Sequence, residues 1–267
     1  MDKRKRPVVV ENCEIIYIQM ISEYAYHIVV RASNIISHML SPGQFVHVKC
    51  DGFTLRRPIS ICRYDGDLLT LVFEIRGDGT EWLAKQKAGD VLDILGPLGN
   101  GFEFANDCKG KSVALVGGGI GSPPMLGLLE AVSSVGASVS VILGFKDKDH
   151  VVLESEFKKL CNDVRIATDD GSLGVKGFAT HALLGLLKEK KTDIIMVCGP
   201  KLMMKSVAAV AKENDVPCYV SLEERMGCGH GACMVCVCLT KVEESDSDKY
   251  SLVCIDGPVF NADEVVW

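Results

Sequence analysis

Two kinds of hydrophobic periodicity divide the chain. Up to about residue 101, short runs rich in Val, Ile, Phe and Tyr are separated by Gly, Pro, Asn and Asp, which predicts strands at 15–19, 26–32, 44–50, 59–63, 68–75 and 91–95. Asp65-Gly66 falls between two of these runs and predicts a tight hairpin, because a type I′ turn needs positive φ at both central positions. One short helix at 81–87 interrupts the series. Some six antiparallel strands with a single helix predict a small β-barrel.

From residue 112 to about 222 the pattern changes to an α/β alternation. Apolar runs at 113–116, 139–143, 164–167, 194–197 and 218–222 are separated by segments of helical spacing, clearest at 125–134, 179–188 and 201–212. Short strands that are apolar on both faces and separated by helices predict a parallel sheet covered on both sides. The stretch 102–111, with Asn106, Asp107 and Gly110, reads as the linker between the two patterns.

The 267 residues are enough for two ordinary domains, and 48% hydrophobic with 24% charged residues is globular composition. A net charge of −6 argues against a nucleic-acid partner, since neutralising phosphates needs a basic surface. Lys3-Arg4-Lys5-Arg6 reads as a solvated tail. The apolar Val8-Val9-Val10 behind it is broken by Glu11, Asn12 and Glu14, so no secretory leader is expected. The uncharged run 112–129 is long enough to cross a bilayer. Its five glycines and Pro123-Pro124 suit a strand, a glycine-rich turn and a helix better, so no membrane span is expected and the chain is expected to be cytoplasmic.

Twelve cysteines is a high count, and a secreted disulfide scaffold would usually be much shorter. Most are scattered singly and read as small buried filler. Cys228-x4-Cys233-x2-Cys236, followed by Cys254, is instead the plant-type spacing for a 2Fe–2S cluster. Gly227, Gly229 and Gly231 would let the backbone pass close to the cluster and adopt positive φ. Backbone N–H groups freed in such a loop can then bond the sulfurs. Structural zinc favours two paired knuckles, whereas here the fourth cysteine stands alone. Cys238 reads as filler, with ligand substitution as the alternative, and His230 as an exposed or supporting residue. Residues 243–248 read as a solvated hairpin tip.

Two further motifs suit phosphate groups. Arg56-Arg57-Pro58-Ile59-Ser60 begins a barrel strand, and Gly77-Asp78-Gly79-Thr80 directly precedes the predicted helix, with Thr80 as a candidate N-cap. An arginine and the N–H groups of a helix start can hold a pyrophosphate from two sides. Gly117-Gly118-Gly119-Ile120-Gly121-Ser122-Pro123-Pro124 follows a strand and opens a helix, where parallel α/β sheets bind dinucleotides. Cys198-Gly199-Pro200 ends the fourth strand on the same edge. At the tip of the second strand, Asp147 could hold a ribose hydroxyl and Lys146 could equally favour a 2′-phosphate.

Taken in this order, the three signatures resemble the ferredoxin–NADP reductase superfamily over essentially the full length, and most closely the electron-transfer subunits of class 1B dihydroorotate dehydrogenases. The resemblance implies a six-stranded antiparallel FAD-binding barrel (1–104), a five-stranded parallel NAD-binding domain (105–222) and a small C-terminal 2Fe–2S domain (223–267). It implies that Arg57 lies on the FAD pyrophosphate, with Pro58, Ile59 and Ser60 in the flavin motif and Ser60 near the isoalloxazine. Glu74, Ile75 and Arg76 would line the flavin, and Gly79 and Thr80 would form the second phosphate element. Gly117, Gly118, Gly119, Gly121, Gly199 and Pro200 would take NAD, and Cys228, Cys233, Cys236 and Cys254 would hold the cluster.

The partner so implied is a catalytic FMN-containing subunit that oxidises dihydroorotate, in a heterotetramer of two of each, within pyrimidine biosynthesis. No residue of this chain is expected to act as a general base, since the cofactors carry the chemistry. Two alternatives stay open. One is the small subunit of an NADH-dependent ferredoxin:NADP or sulfide oxidoreductase complex. The other is a non-catalytic module with structural zinc.

Overall fold

The computed structural model describes residues 7–242 and 247–267. The predicted tail at 3–6 and residues 243–246 of the predicted hairpin tip lie outside the described residues.

Strands β1 (Val9–Met20), β2 (Ala25–Arg31), β3 (Phe45–Val48), β4 (Arg57–Asp65), β5 (Leu68–Glu74) and β6 (Val91–Leu98) close into an antiparallel barrel of order β1-β2-β5-β4-β3-β6. Strand alternation sends Val46, Val48, Ile59, Ile61, Leu69, Leu71 and Ile94 into its core. Leu69, Leu71 and Ile94 are fully enclosed, each burial contributing roughly 1.5–3 kcal/mol. Helix α1 (Ser33–Ser37) closes one end, and α2 (Asp78–Ala84) follows β5. The β4–β5 hairpin forms as expected but turns one residue later: Asp65 pairs with Leu68, and positive φ occurs at Gly66 (58°) and not at Asp65. This is the turn with glycine at its first central position, which needs only one left-handed residue.

The second sheet is built from β7 (Ser112–Gly118), β8 (Ser138–Phe145), β9 (Val164–Thr168), β10 (Val175–Lys176), β11 (Ile194–Cys198) and β12 (Cys218–Ser221), all parallel. Helices α3 (Ser122–Ser134), α4 (Glu154–Leu160), α5 (Ala179–Glu189) and α6 (Lys201–Glu213) connect them. The five predicted strands run β9-β8-β7-β11-β12, the doubly wound order whose crevice opens between β7 and β11. Two strands extend it to seven: the short β10 at one edge, and at the other the antiparallel β15 (Val259–Asn261) from the cysteine-rich tail. That tail also contributes the hairpin β13 (Val237–Lys241) and β14 (Asp248–Leu252).

The three parts are joined by close packing. Glycine at 127 lets α3 lie on the barrel, because a Cβ there would sit 2.5 Å from the Cys62 carbonyl oxygen, and Arg63 adds an ion pair to Glu130 at 3.1 Å. The linker is packed as a 3-10 turn from Glu103 to Cys108, with Ala105 and Cys108 buried. Cys236, Cys254, Phe260 and Val265 share one core with Ala114, Val116 and Ile195, so the tail is consolidated with the parallel sheet.

Asp163, at the start of β9, binds Arg165 (3.0 Å) and Lys190 (2.5 Å), and Arg165 also reaches Glu189 (2.6 Å). Burial alone would raise the Asp163 pKa, but hydrogen bonds from Lys190, Arg165 and Ser140 bring it below the ordinary 3.8 to about 2. A depressed carboxyl stabilises the fold fully above 3.8, and the contribution is lost as pH falls towards 2. We expect Asp163→Asn to cost about 1 kcal/mol near neutrality, a modest value for partly solvated pairs. Melting curves across a pH series check this, since the gap to wild type should close on acidification through that window.

Candidate functional site

The tandem arginines have different fates. Arg56 is held within the barrel, donating to the Asp93 carboxylate (2.8 Å), the Asp93 carbonyl (3.0 Å) and the His47 carbonyl (3.4 Å). Arg57 instead projects from the barrel with its guanidinium against the start of α2: a Cβ at Gly79 would lie 2.2 Å from Arg57 Nε. Pro58 and Ser60 face outward on β4, while Ile59 is buried in the core. Thr80 is not the N-cap. Gly77 takes that position, and Thr80, one turn in, turns its Oγ1 back to accept the N–H groups of Arg76 (2.9 Å) and Gly77 (3.3 Å). Glu74 and Arg76 form an ion pair at 3.2 Å, and Ile75 between them is exposed. Arg57 thus closes over Gly79, where no Cβ could fit, beside the outward face of β4, a cradle carrying its own cation that fits a flavin pyrophosphate.

The glycine-rich turn after β7 packs directly on the end of β11. A Cβ at Gly121 would meet the Cys198 carbonyl and the Gly199 Cα at 2.6 Å, and one at Gly118 would meet Met203 Sδ at 2.3 Å. Gly119 adopts φ 51° with open space before it. Ser122, at the first turn of α3, has a buried hydroxyl with no partner. Gly117, Gly118, Gly119, Gly121, Gly199 and Pro200 are thus brought together at the ends of β7 and β11, with Gly117, Gly118 and Gly121 buried in the packing and Gly119 and Pro200 open, an arrangement that fits a bound dinucleotide. Asp147 is already engaged: its Oδ1 accepts from the Asp149 and His150 amides and meets His150 Nδ1 at 2.6 Å.

The four cysteines come together in two pairs. Cys228 Sγ accepts N–H groups from Ala232 (3.2 Å), Cys233 (3.4 Å) and His230 (3.5 Å), while Cys233 Sγ accepts from Cys228 (3.3 Å). Cys236 Sγ accepts from the Cys254 amide at 3.4 Å. Among the described residues no three such groups converge on a single ion position. Two thiol pairs with amides aimed at sulfur are the donor set for two irons rather than one. Amides, that of Val235 first, lower the exposed Cys233 thiol to about 7. Burial first, then Cys236, raises the Cys254 thiol to about 12. Of the loop glycines, Gly229 and Gly231 take positive φ (76° and 86°), as expected. Gly227 does not; it serves only by close approach, its Cβ position lying 3.0 Å from Cys233 Sγ.

Cys13, Cys50, Cys62, Cys108, Cys161, Cys198 and Cys218 are buried free thiols, matching the filler reading. Cys238 is half-buried in β13 opposite Ser251. His47, which the sequence reading did not single out, lies under the cysteine loop: a Cβ at Gly229 would be 2.8 Å from its ring. Gly229→Ala would combine that clash with a left-handed backbone costing about 1–2 kcal/mol. We expect it to lower iron content per chain by more than half, roughly, measured against protein concentration in the purified protein.

The fold and these sites define a class: a ferredoxin-reductase-like oxidoreductase with an NAD-binding sheet and a C-terminal iron–sulfur domain. The model for the iron-sulfur cluster binding domain of dihydroorotate dehydrogenase B matches residues 223–266, and that for the oxidoreductase NAD-binding domain matches 115–209. The chain is 42% identical over 263 residues to the dihydroorotate dehydrogenase B (NAD(+)) electron transfer subunit of Bacillus mycoides (strain KBAB4), covering 96% of this chain and 98% of the relative. It is 44% identical to that of Shouchella clausii (strain KSM-K16), covering 87% and 89%. A solved NADH-dependent reduced ferredoxin-NADP oxidoreductase superposes with a TM-score of 0.86 at 31% identity, covering 96% of this chain and 90% of that one. The chain belongs to the family of dihydroorotate dehydrogenase B electron transfer subunits.

Proposed function

We propose that this chain relays electrons from a partner that oxidises dihydroorotate to NAD⁺, in pyrimidine biosynthesis. The observation that carries this is that the loop bearing Cys228 and Cys233 packs on His47 of β3, the strand paired with the flavin-motif strand β4, with the dinucleotide crevice in the same chain. When bound, the 2Fe–2S cluster passes single electrons and FAD exchanges them for a hydride with NAD. The residues position these groups. Arg57 neutralises the FAD pyrophosphate against Gly79, Thr80 fixes the loop after β5, and Pro58 and Ser60 offer the β4 face to the isoalloxazine, with Glu74, Ile75 and Arg76 at its border. Gly117, Gly118, Gly119 and Gly121 admit the dinucleotide against Gly199 and Pro200. The units are residues 1–104, 105–222 and 223–267.

The partner's docking face is the cysteine loop and its hairpin. Met234 and Val235 are exposed next to the exposed Cys233 in the chain, and Val237, Leu239 and Tyr250 are exposed on the hairpin that follows, apolar surface of the kind that marks interfaces. The proposed partner is the FMN-containing catalytic subunit, in a heterotetramer of two of each. The proposed setting is the cytoplasm, in keeping with the free thiols. Among the described residues no helix is long and apolar enough to cross a membrane.

The likeness to the ferredoxin-NADP oxidoreductase favours a second reading, in which the partner is the large subunit of such a complex. Identity of 39–44% to dihydroorotate dehydrogenase B subunits, against 31%, favours the first. Capture of the native complex on this chain separates them. The first reading expects a co-purifying flavoprotein that reduces NAD⁺ with dihydroorotate; a complex active only between NADH and ferredoxin contradicts it.

A further inference from the structure

His47 stands on β3 between the two proposed electron-carrying sites. Val46 and Val48 point into the barrel, so alternation turns Phe45 and His47 to its outer face, where Phe45 packs into the core shared with the cysteine-rich tail. Across the ladder His47 pairs with Pro58 of the flavin motif, and directly opposed residues in an antiparallel pair have Cβ atoms about 4.5–5.5 Å apart. On the other side its ring fills the space before Gly229, whose Cβ position would lie 2.8 Å from Cε1 and 3.0 Å from both Nδ1 and Nε2. One imidazole therefore touches the cysteine loop and neighbours the flavin strand.

The ring is fully buried, and neither nitrogen has a hydrogen-bond partner. An imidazole carries at least one N–H in either charge state, and a buried donor left unmet is a costly exception. Its main-chain oxygen is accounted for by Arg56. The edge bearing both nitrogens faces Gly229, the residue after Cys228. The Cys228 sulfur already accepts three backbone N–H groups, so the loop is built to direct donors at sulfur.

We propose that His47 is a positioning residue for the iron–sulfur cluster, its ring N–H donated to a sulfide of the bound cluster at the Cys228–Cys233 end and so fixing the cluster against β3, the strand beside the flavin motif. This rests on the reading of the four cysteines as a 2Fe–2S site. Donors to cluster sulfur stabilise the reduced, more negative state and raise its potential. Gly229 is then required twice, for its left-handed backbone and for the room the ring occupies.

The test is an EPR-monitored redox titration of the cluster, with an optical titration of the flavin, in the purified native complex. It compares wild type with His47→Phe, which keeps a ring without the donor, and with His47→Asn and His47→Gln, which return an N–H near Nδ1 and Nε2. We expect loaded His47→Phe to titrate at a lower cluster potential, one amide variant to recover towards wild type, and the flavin couple to stay in place. A wild-type cluster potential in loaded His47→Phe overturns the proposal, as does a shift confined to the flavin. If His47→Phe folds without holding a cluster, the amide variants decide: a wild-type cluster potential in either supports the donor, and a lowered potential or no cluster in both refutes it. Wild-type iron and sulfide content is the separate check on the site itself, and a protein holding zinc instead removes the proposal together with the cluster reading.

Discussion

Cys233→Ser is expected to stop reduction of this chain by its partner while leaving reduction of its flavin by NADH largely intact. Cys233 is the exposed member of the first thiol pair, and its amide and sulfur are both tied to Cys228. A serine oxygen in its place removes one of the four thiolates the two irons need and leaves the Cys228 sulfur without its mate. Even supporting residues around a metal change affinity by roughly ten- to a hundredfold, so loss of a ligand should lower dihydroorotate:NAD⁺ turnover by on the order of a hundredfold or more. The Arg57–Gly79 cradle and the Gly117–Gly121 turn lie on other elements and are untouched. Stopped-flow reduction of the flavin by NADH, beside steady-state turnover with dihydroorotate, checks both halves. If the NADH half-reaction fails equally in a folded variant, the proposed order of electron carriers is wrong.

The second large effect separates two adjacent arginines. Arg57→Ala should weaken FAD binding by about 1.5–3 kcal/mol, roughly tenfold to a hundredfold, the range for a hydrogen bond to a charged group. Within the fold Arg57 makes one exposed hydrogen bond, donating to the carbonyl of Leu55 two residues away, while its guanidinium rests on Gly79 and lies 5.1 Å over the Phe53 ring. Arg56→Ala should do the opposite. It breaks the ties to Asp93 and the His47 carbonyl, lowering the melting temperature while FAD, where the protein is folded, binds close to normally. Flavin fluorescence titration of the apo-flavin protein and thermal melts of both variants distinguish the two roles. Equal loss of FAD affinity in both variants contradicts the assignment.

What the sequence made legible was local. Barrel strands follow two-residue alternation, and the parallel strands are apolar on both faces, so each period could be read directly. The cysteine loop concentrates three ligands in nine residues, Cys228 to Cys236, where spacing alone carries the chemistry. Features that depend on distant pairing were not legible. Val259–Asn261 is too short to announce a strand, and it becomes one because Tyr219, Val220 and Ser221 offer an open edge. Helix α4 buries only Phe157 and so leaves little apolar period to detect. Thr80 looks like a cap because threonine commonly is one, but Gly77 supplies the entry backbone and leaves the hydroxyl to close the loop behind it.

His47 was invisible for a different reason. A single histidine in a Val-rich strand reads as core or surface until the barrel's inner face is known. Only then does its register, opposite Pro58 and under Gly229, separate it from Val46 and Val48. The one hint in the sequence was parity: with Val46 and Val48 assigned inward, position 47 must face whatever covers the barrel.

The relay from partner to NAD⁺ is tested most directly by the visible spectrum of the anaerobic native complex, captured on this chain, before and after dihydroorotate and then NAD⁺. Flavin and iron–sulfur absorbance should bleach with dihydroorotate and return with NAD⁺. Bleaching by NADH with no response to dihydroorotate would contradict the account, leaving the cofactor sites in place and removing the dihydroorotate-oxidising partner.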